Sequence, residues 1–165
     1  MKKFNDWQCG WLSGIIDSDG GVYFNRANGS NRKFITVRIQ VDGTSENFIR
    51  KIHKIVGEGS VSAYRKSRTK GLFGKTFRPM FRFQACANTV RWVLPQLTLI
   101  AKSQQQKIIL EALPILKKGR WKSIKEEQKL RNLFEQCRML NMSGNTISKS
   151  KLTTQGWQVN YENLP

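Results

Sequence analysis

From Ile35 to Val41 apolar and polar residues alternate without a break, with Ile35, Val37, Ile39 and Val41 on one parity and Thr36, Arg38 and Gln40 on the other. Period-two alternation belongs to a β-strand with one buried face and one wet face, and a one-residue slip would expose the whole apolar set. The pattern recurs. Val22 and Phe24 alternate with Tyr23 and Asn25, and a turn around Asn28-Gly29-Ser30-Asn31 joins this run to the first. Val61 and Ala63 alternate with Ser62, Tyr64, Lys66 and Arg68; after a basic loop at about 69–75, Phe77, Phe81, Phe83 and Ala85 alternate with Arg78, Met80, Arg82 and Gln84. Two hairpins are therefore predicted.

Helical spacing fills the gaps between them. From Asp6, the expected N-cap, to about Ile16, Trp7, Trp11 and Ile15 share one side, and the helix ends at Asp19-Gly20-Gly21. A second small-residue stripe, Gly10, Ser13, Gly14 and Asp17, costs helix propensity and is worth that only where another backbone comes close. A helix from about Ser45 to Val56 carries Phe48, Ile49, Ile52 and Ile55 and stops at Gly57. A short helical piece near Thr89–Leu97 follows, then Lys102–Lys117 and Ile124–Leu140. This order predicts an α+β fold, a four-stranded antiparallel sheet with helices on one face and extra C-terminal helices. Residues 1–165 are read as one domain, with a core at about 6–118 and a C-terminal helix and basic tail at about 122–165.

Lys and Arg number 29 against 11 Asp and Glu, a formal net charge of +18. Such an excess repels itself in a compact domain, and a polyanion relieves it by releasing counterions. On the outward parity Arg38, Lys66, Arg68, Arg78 and Arg82 come with almost no carboxylates among them, which points to nucleic acid rather than to solvation alone. The residues expected to face bases are Tyr23, Asn25, Thr36, Arg38, Gln40, Ser62, Tyr64, Lys66, Arg68, Arg82 and Gln84, with Lys149 and Lys151 on phosphates. The strand aromatics mostly share the apolar parity and read as core. No apolar run suits a signal peptide or a membrane span. Neither a membrane nor a small-molecule substrate is expected, and the expected location is intracellular, in an organelle (chloroplast or mitochondrion) or in prokaryotic or phage cytoplasm. Cys9, Cys86 and Cys137 are odd in number and far apart in sequence, so they are expected to be small buried hydrophobes rather than a disulfide or zinc set.

Eleven acids make the search for hard-cation ligands short. Most lie on predicted helices or alone, which leaves Ile16-Asp17-Ser18-Asp19-Gly20. A calcium-loop reading fails, because the twelfth position from Asp17 is Asn28 rather than Glu. Asp17 suits a local helix-end role. His53, the one histidine, lies between apolar helix positions and reads as packing, so a histidine general base is not expected.

The string Leu12-Ser13-Gly14-Ile15-Ile16-Asp17-Ser18-Asp19-Gly20 closely resembles the nine-residue motif of the LAGLIDADG homing endonucleases, and the element order resembles their α-β-β-α-β-β-α core. There is one motif and no second copy, as in the small homodimeric members. The resemblance implies a metal-dependent, site-specific DNA endonuclease that makes a double-strand break in a long, nearly palindromic target, as in intron homing. It implies Asp19 as the catalytic metal ligand, with the main-chain carbonyl of Ser18 beside it, and Mg2+ or another divalent cation such as Mn2+. It gives the stripe Gly10, Ser13, Gly14 a reason, since motif helices of two subunits pack there. Lys102-Ser103-Gln104-Gln105 resembles the Lys-x-x-Gln of small members, which would put Lys102 near the scissile phosphate. One departure stands out. The family's glutamine at the end of the second strand falls on Gly43 here, with Gln40 and Asp42 as candidates to replace it. A maturase or a non-cleaving DNA- or RNA-binding protein on the same fold is the first alternative. A basic structural RNA-binding protein is the second, though bare phosphate binding has no use for the Asp17–Gly20 turn.

Overall fold

The computed structural model describes residues 2–28, 33–65, 78–118 and 122–142. Helix α1 spans Asp6–Ser18 and is followed by strands β1 (Gly20–Asn28) and β2 (Lys33–Gly43). Helix α2 (Glu46–Val56), strands β3 (Ser60–Arg65) and β4 (Met80–Ala85), and helix α3 (Ala87–Val93) come next. A 3₁₀ turn at Leu94–Gln96 leads to α4 (Ser103–Lys117) and α5 (Ile124–Met142). The strands form one antiparallel sheet in the order β1-β2-β4-β3. The α+β class and the four-stranded antiparallel sheet are as expected from the alternation.

Register carries the alternation across the sheet. Val22 pairs with Ile39, Ile39 with Ala85, and Val41 with Phe83, so the apolar parities share one face. That face is buried under Leu12, Ile15 and Ile16 of α1, Ile49, Ile52 and Val56 of α2, and Ile109 and Leu113 of α4. Helix α5 packs mainly on α4 and reaches β1 through Phe134, whose ring meets Phe24 edge-on at 5.9 Å. Among the described residues no helix is long and apolar enough to cross a membrane.

Several local expectations are corrected. The N-cap of α1 is Asn5, not Asp6: Asn5 Oδ1 accepts the Gln8 N–H at 2.8 Å and Gln8 Oε1 accepts the Asn5 N–H at 3.1 Å, a reciprocal capping box. Trp7 is 57% exposed, stacks on Trp11 at 5.7 Å, and has the Lys51 ammonium 5.6 Å from its ring centre. Cys137 is buried as expected, Cys9 is half-buried, and Cys86 is exposed at the entry to α3. His53 packs as expected, 6.3 Å from the Phe83 ring. Gly57 ends α2 in the left-handed region at φ 83°, where a side chain would be strained.

The turn from α1 into β1 is closed by contact. A Cβ on Gly20 would lie 2.9 Å from Val41 Cγ2, 3.0 Å from the Gln40 carbonyl oxygen and 3.0 Å from Ile16 Cα. Two of these neighbours are backbone and cannot rotate away. Gly20→Ala is therefore expected to destabilise the fold by about 1–3 kcal/mol through overpacking, read as a lower denaturation midpoint with unchanged slope; an unchanged midpoint would contradict this packing.

Candidate active site and nucleic-acid interface

Helix α1 brings two carboxylates to one end of the sheet, and they have different tasks. Asp17 turns toward the segment that enters α4. Its Oδ2 accepts the N–H of Ile100 at 2.6 Å and of Ala101 at 3.3 Å, and its Oδ1 accepts the N–H of Lys102 at 3.1 Å. The expected local helix-end role is thus replaced by a clamp between segments more than eighty residues apart. Lys102 answers it. Its Nζ donates to the Ile16 carbonyl at 2.8 Å and to the Asp17 carbonyl. A cation is favourable at a helix C-terminus, where the last carbonyls lack partners. Burial pushes the Lys102 pKa below the ordinary lysine value, while the charges of Asp17 and Asp19 pull it back up. An ammonium has three donors, so these two contacts do not exhaust it.

Asp19 is the carboxylate left over. It caps the C-terminus of α1 at φ −101° and ψ −6°, with its own N–H bonded to the Ile15 carbonyl at 2.9 Å. Its side chain is exposed, and no described residue donates a hydrogen bond to it. The Ile15, Ile16 and Asp17 carbonyls already have donors, whereas no described donor takes the Ser18 carbonyl. Asp19 and Ser18 therefore offer two hard oxygen ligands side by side, the donor chemistry a magnesium-like cation accepts. No three His, Cys, Asp or Glu side chains gather among the described residues, so one chain offers a cation here a single carboxylate.

The polar parity makes the opposite face of the sheet. Tyr23 pairs with Arg38 and Asn25 with Thr36; Gly21, Gln40, Gln84 and Ser60 line up across the strands, as do Asp42, Arg82 and Ser62. Tyr23, Asn25, Thr36, Arg38, Gln40, Ser62, Arg82 and Gln84 thus share one surface. Lys66, Arg68, Lys149, Lys151 and the side chain of Tyr64 lie outside the described residues. This face holds a carboxylate, Asp42. Asp42 Oδ1 accepts Arg82 Nε at 2.7 Å, and its Oδ2 accepts Arg82 Nη2 at 3.1 Å and Gln40 Nε2 at 3.0 Å. Tyr23 folds its ring over Gly21, where a Cβ would meet the phenol oxygen at 2.2 Å. Burial raises the Tyr23 pKa, Asp42 raises it further, and Arg38 and Arg82 oppose both.

Gly43 sits on the other parity. A Cβ there would face Ile49 Cδ1 at 3.5 Å and Phe48 Cδ1 at 3.7 Å, so a glutamine at this position would point under the sheet. On the small-residue stripe, Gly10 and Gly14 are exposed and a Cβ on either would meet nothing within 4 Å. Ser13 differs. It is 8% exposed, and its hydroxyl oxygen accepts the Thr98 N–H at 3.1 Å within the same chain. Gln106, which the sequence reading passed over, is buried at the same corner. It accepts the Leu99 N–H and donates to the carbonyls of Leu94 and Leu97, fixing the segment that Asp17 clamps.

No family model and no curated protein matches the sequence. Solved structures do match. The homing endonuclease I-CvuI in complex with its target superposes with a TM-score of 0.59 at 22% identity, covering 87% of this chain and 84% of that one. An archaeal intron-encoded homing endonuclease, I-Vdi141I, complexed with DNA gives 0.65 at 14% identity, covering 82% and 84%. The LAGLIDADG homing endonuclease I-LtrWI bound to target DNA gives 0.62 at 14% identity, covering 81% of this chain but 45% of that one. The chain has the LAGLIDADG homing endonuclease fold. Helix α1 carries most of the string Leu12–Gly20, and its last turn is the one that Asp17 and Lys102 hold in place. Removing the Asp17 carboxylate with Asp17→Ala strands three backbone N–H groups. A loss of about 1–3 kcal/mol in unfolding free energy is expected, together with faster amide exchange at residues 100–102; unchanged exchange there would refute the clamp.

Proposed function

We propose that this chain is a site-specific DNA endonuclease that acts as a homodimer, with one divalent-metal-binding Asp19 from each subunit. The observation that carries this reading is the division of labour at the end of α1. The Asp17 carboxylate is taken up in holding the segment that enters α4, while Asp19, one residue before the sheet, keeps an exposed carboxylate with no donor from the described residues. A charged group left open beside a basic surface is what a cation bridging protein and phosphate would need.

Homodimerisation is supported by the arithmetic of the site and by the helix surface. Cutting two strands calls for two sites, and a two-fold axis supplies the second from the same sequence. Gly10 and Gly14 leave an open groove along α1 in which a second backbone can approach closely. Ser13, already used within the chain, contributes shape to that surface rather than a free hydroxyl.

The residues act as follows. Asp19 and the Ser18 carbonyl would hold Mg2+ or Mn2+, which when bound supplies Lewis-acid charge and a more acidic water. Lys102, fixed between the motif helix and α4, places positive charge beside Asp19, where it can offset charge growing on a scissile phosphate. The polar sheet face supplies the DNA contact. Its longest strands have 9 and 11 residues, so at roughly 3.3 Å per residue they span about 30 and about 36 Å. Two such sheets related by a dimer axis match about twenty base pairs of major groove. Recognition of a host insertion site, as in intron homing, belongs to the same reading.

Asp19→Asn keeps the shape of the side chain and removes its charge. The variant is expected to bind target duplex within about threefold of wild type while losing at least about a hundredfold in cleavage, in the range of losing one electrostatic catalytic group. EDTA added to the wild type should reproduce the cleavage loss without abolishing binding. Normal cleavage by Asp19→Asn would remove Asp19 from the site.

A further inference from the structure

The first turn of β1 carries two residues of the polar parity, Gly21 and Tyr23, and the second fills the space that the first leaves open. A Cβ on Gly21 would lie 2.2 Å from the Tyr23 phenol oxygen, 2.3 Å from its Cζ and 2.8 Å from its Cε2. The far end of the ring therefore occupies the volume of a Gly21 side chain. Tyr23 leans back along the strand toward the turn that joins α1 to β1, instead of standing away from the sheet. Any side chain at position 21 would push it off.

The phenol is unspent. Its oxygen has no hydrogen-bond partner among the described residues, and it is not closed to water as the Gln40 amide oxygen and Arg38 Nε are. Burial and the Asp42 charge raise the Tyr23 pKa against the pull of Arg38 and Arg82, so the group keeps its proton at neutral pH and can donate it to an acceptor.

Its place on the sheet limits what it can meet. The contact at Gly21 puts the phenol oxygen within about 4 Å of the Gly21 Cα, and consecutive Cα atoms are about 3.8 Å apart, so the oxygen is within about 11 Å of the Asp19 Cα. Strand β1 is an edge strand. Four strands about 4.8 Å apart are about 14 Å across, and a major groove is about 12 Å wide, which sets the edge strand against the sugar-phosphate wall of the groove. A neutral donor lying low on that strand, beside the turn that holds Asp19, suits a phosphate oxygen rather than a base edge.

We propose that Tyr23, seated in the space over Gly21, donates its phenol hydrogen to the DNA phosphate at or next to the scissile bond and so holds the cut strand against Asp19. The inference rests on the proposed endonuclease function. Tyr23 is then a backbone contact that positions the cleavage point, and Gly21 is the position kept empty for it.

The test pairs side chains with single phosphates. A duplex is selected by wild type from a randomised library in calcium in place of magnesium, and its cut position is mapped with magnesium. Phosphates of that duplex are then replaced one at a time by neutral methylphosphonates, and affinity in calcium is measured for wild type, Tyr23→Phe and Gly21→Ala. Tyr23→Phe should bind the unmodified duplex about tenfold more weakly, the low end for a hydrogen bond to a charged group. At one phosphate, at or next to the cut, the replacement should cost Tyr23→Phe about three- to tenfold less than it costs the wild type, with equal losses elsewhere. Gly21→Ala should show the same reduced cost at the same phosphate. It should also fold normally, because the atoms that its Cβ meets belong to the free end of one side chain, which can swing away. A reduced cost far from the cut, or none at all, overturns the inference, as does a folded Gly21→Ala that matches the wild type at every phosphate. Tyr23→Phe decides alone if Gly21→Ala does not fold. A wild type that selects no duplex, or selects one and never cuts it, overturns the endonuclease reading instead.

Discussion

The exchange between Asp17 and Lys102 is the contact on which the site depends. The carboxylate of α1 takes the N–H groups that lead into α4, and the lysine at the head of α4 takes the carbonyls that end α1. Each side chain thus satisfies backbone groups of the other's element, which neither helix could satisfy alone. Because α1 and α4 both lie on the apolar face of the sheet, this double clamp fixes the terminus of α1 against the sheet. The close fit at Gly20 removes the remaining freedom, since no Cβ can enter between Ile16 and Val41. Asp19 is held by this frame without being used by it. A catalytic group has to combine a fixed backbone with an uncommitted side chain, and the terminus of α1 has both.

The sheet serves two solvents at once. Its inner face closes a core around Val37, Ile39, Val41, Phe83 and Ala85, and the same strands turn Tyr23, Arg38, Gln40, Arg82 and Gln84 outward. Cross-strand register, rather than any single residue, makes these outward positions a surface. It also places Asp42, near the end of β2, where it accepts from Gln40 and Arg82. A net charge of +18 then sets the long-range attraction for a polyanion. Order within the polar layer, not charge, is what can make the attraction selective.

Features with a short repeat were legible in the sequence. Strand alternation gives both sheet faces because side-chain direction follows directly from period two. Ser45 and Gly57 bound α2 through local chemistry, a side-chain cap and a left-handed residue. Asp19 stands out as a candidate because acids are few and because it lies in the string Leu12–Gly20. Features made by distant pairs were not legible. Asp17 meets residues 83 to 85 positions away, and Asp42 meets Arg82 across 40. No periodicity carries such information. Helical spacing tells which residues share a side but not whether a neighbour covers that side; Trp7 lies against Trp11 and Lys51 in the open. Gln106 left a trace that could have been read, a polar residue on the stripe of Ile109 and Leu113 where a buried amide must find partners.

The central claim is that each chain supplies half of a two-fold cleavage site. It is tested most directly with mixed dimers of one wild-type and one Asp19→Asn subunit, purified by two different affinity tags and incubated with target duplex and magnesium. The expected product is DNA nicked in one strand only, with nicked duplex accumulating and no linear fragments. Double-strand cleavage by the mixed dimer at the wild-type rate would contradict the claim.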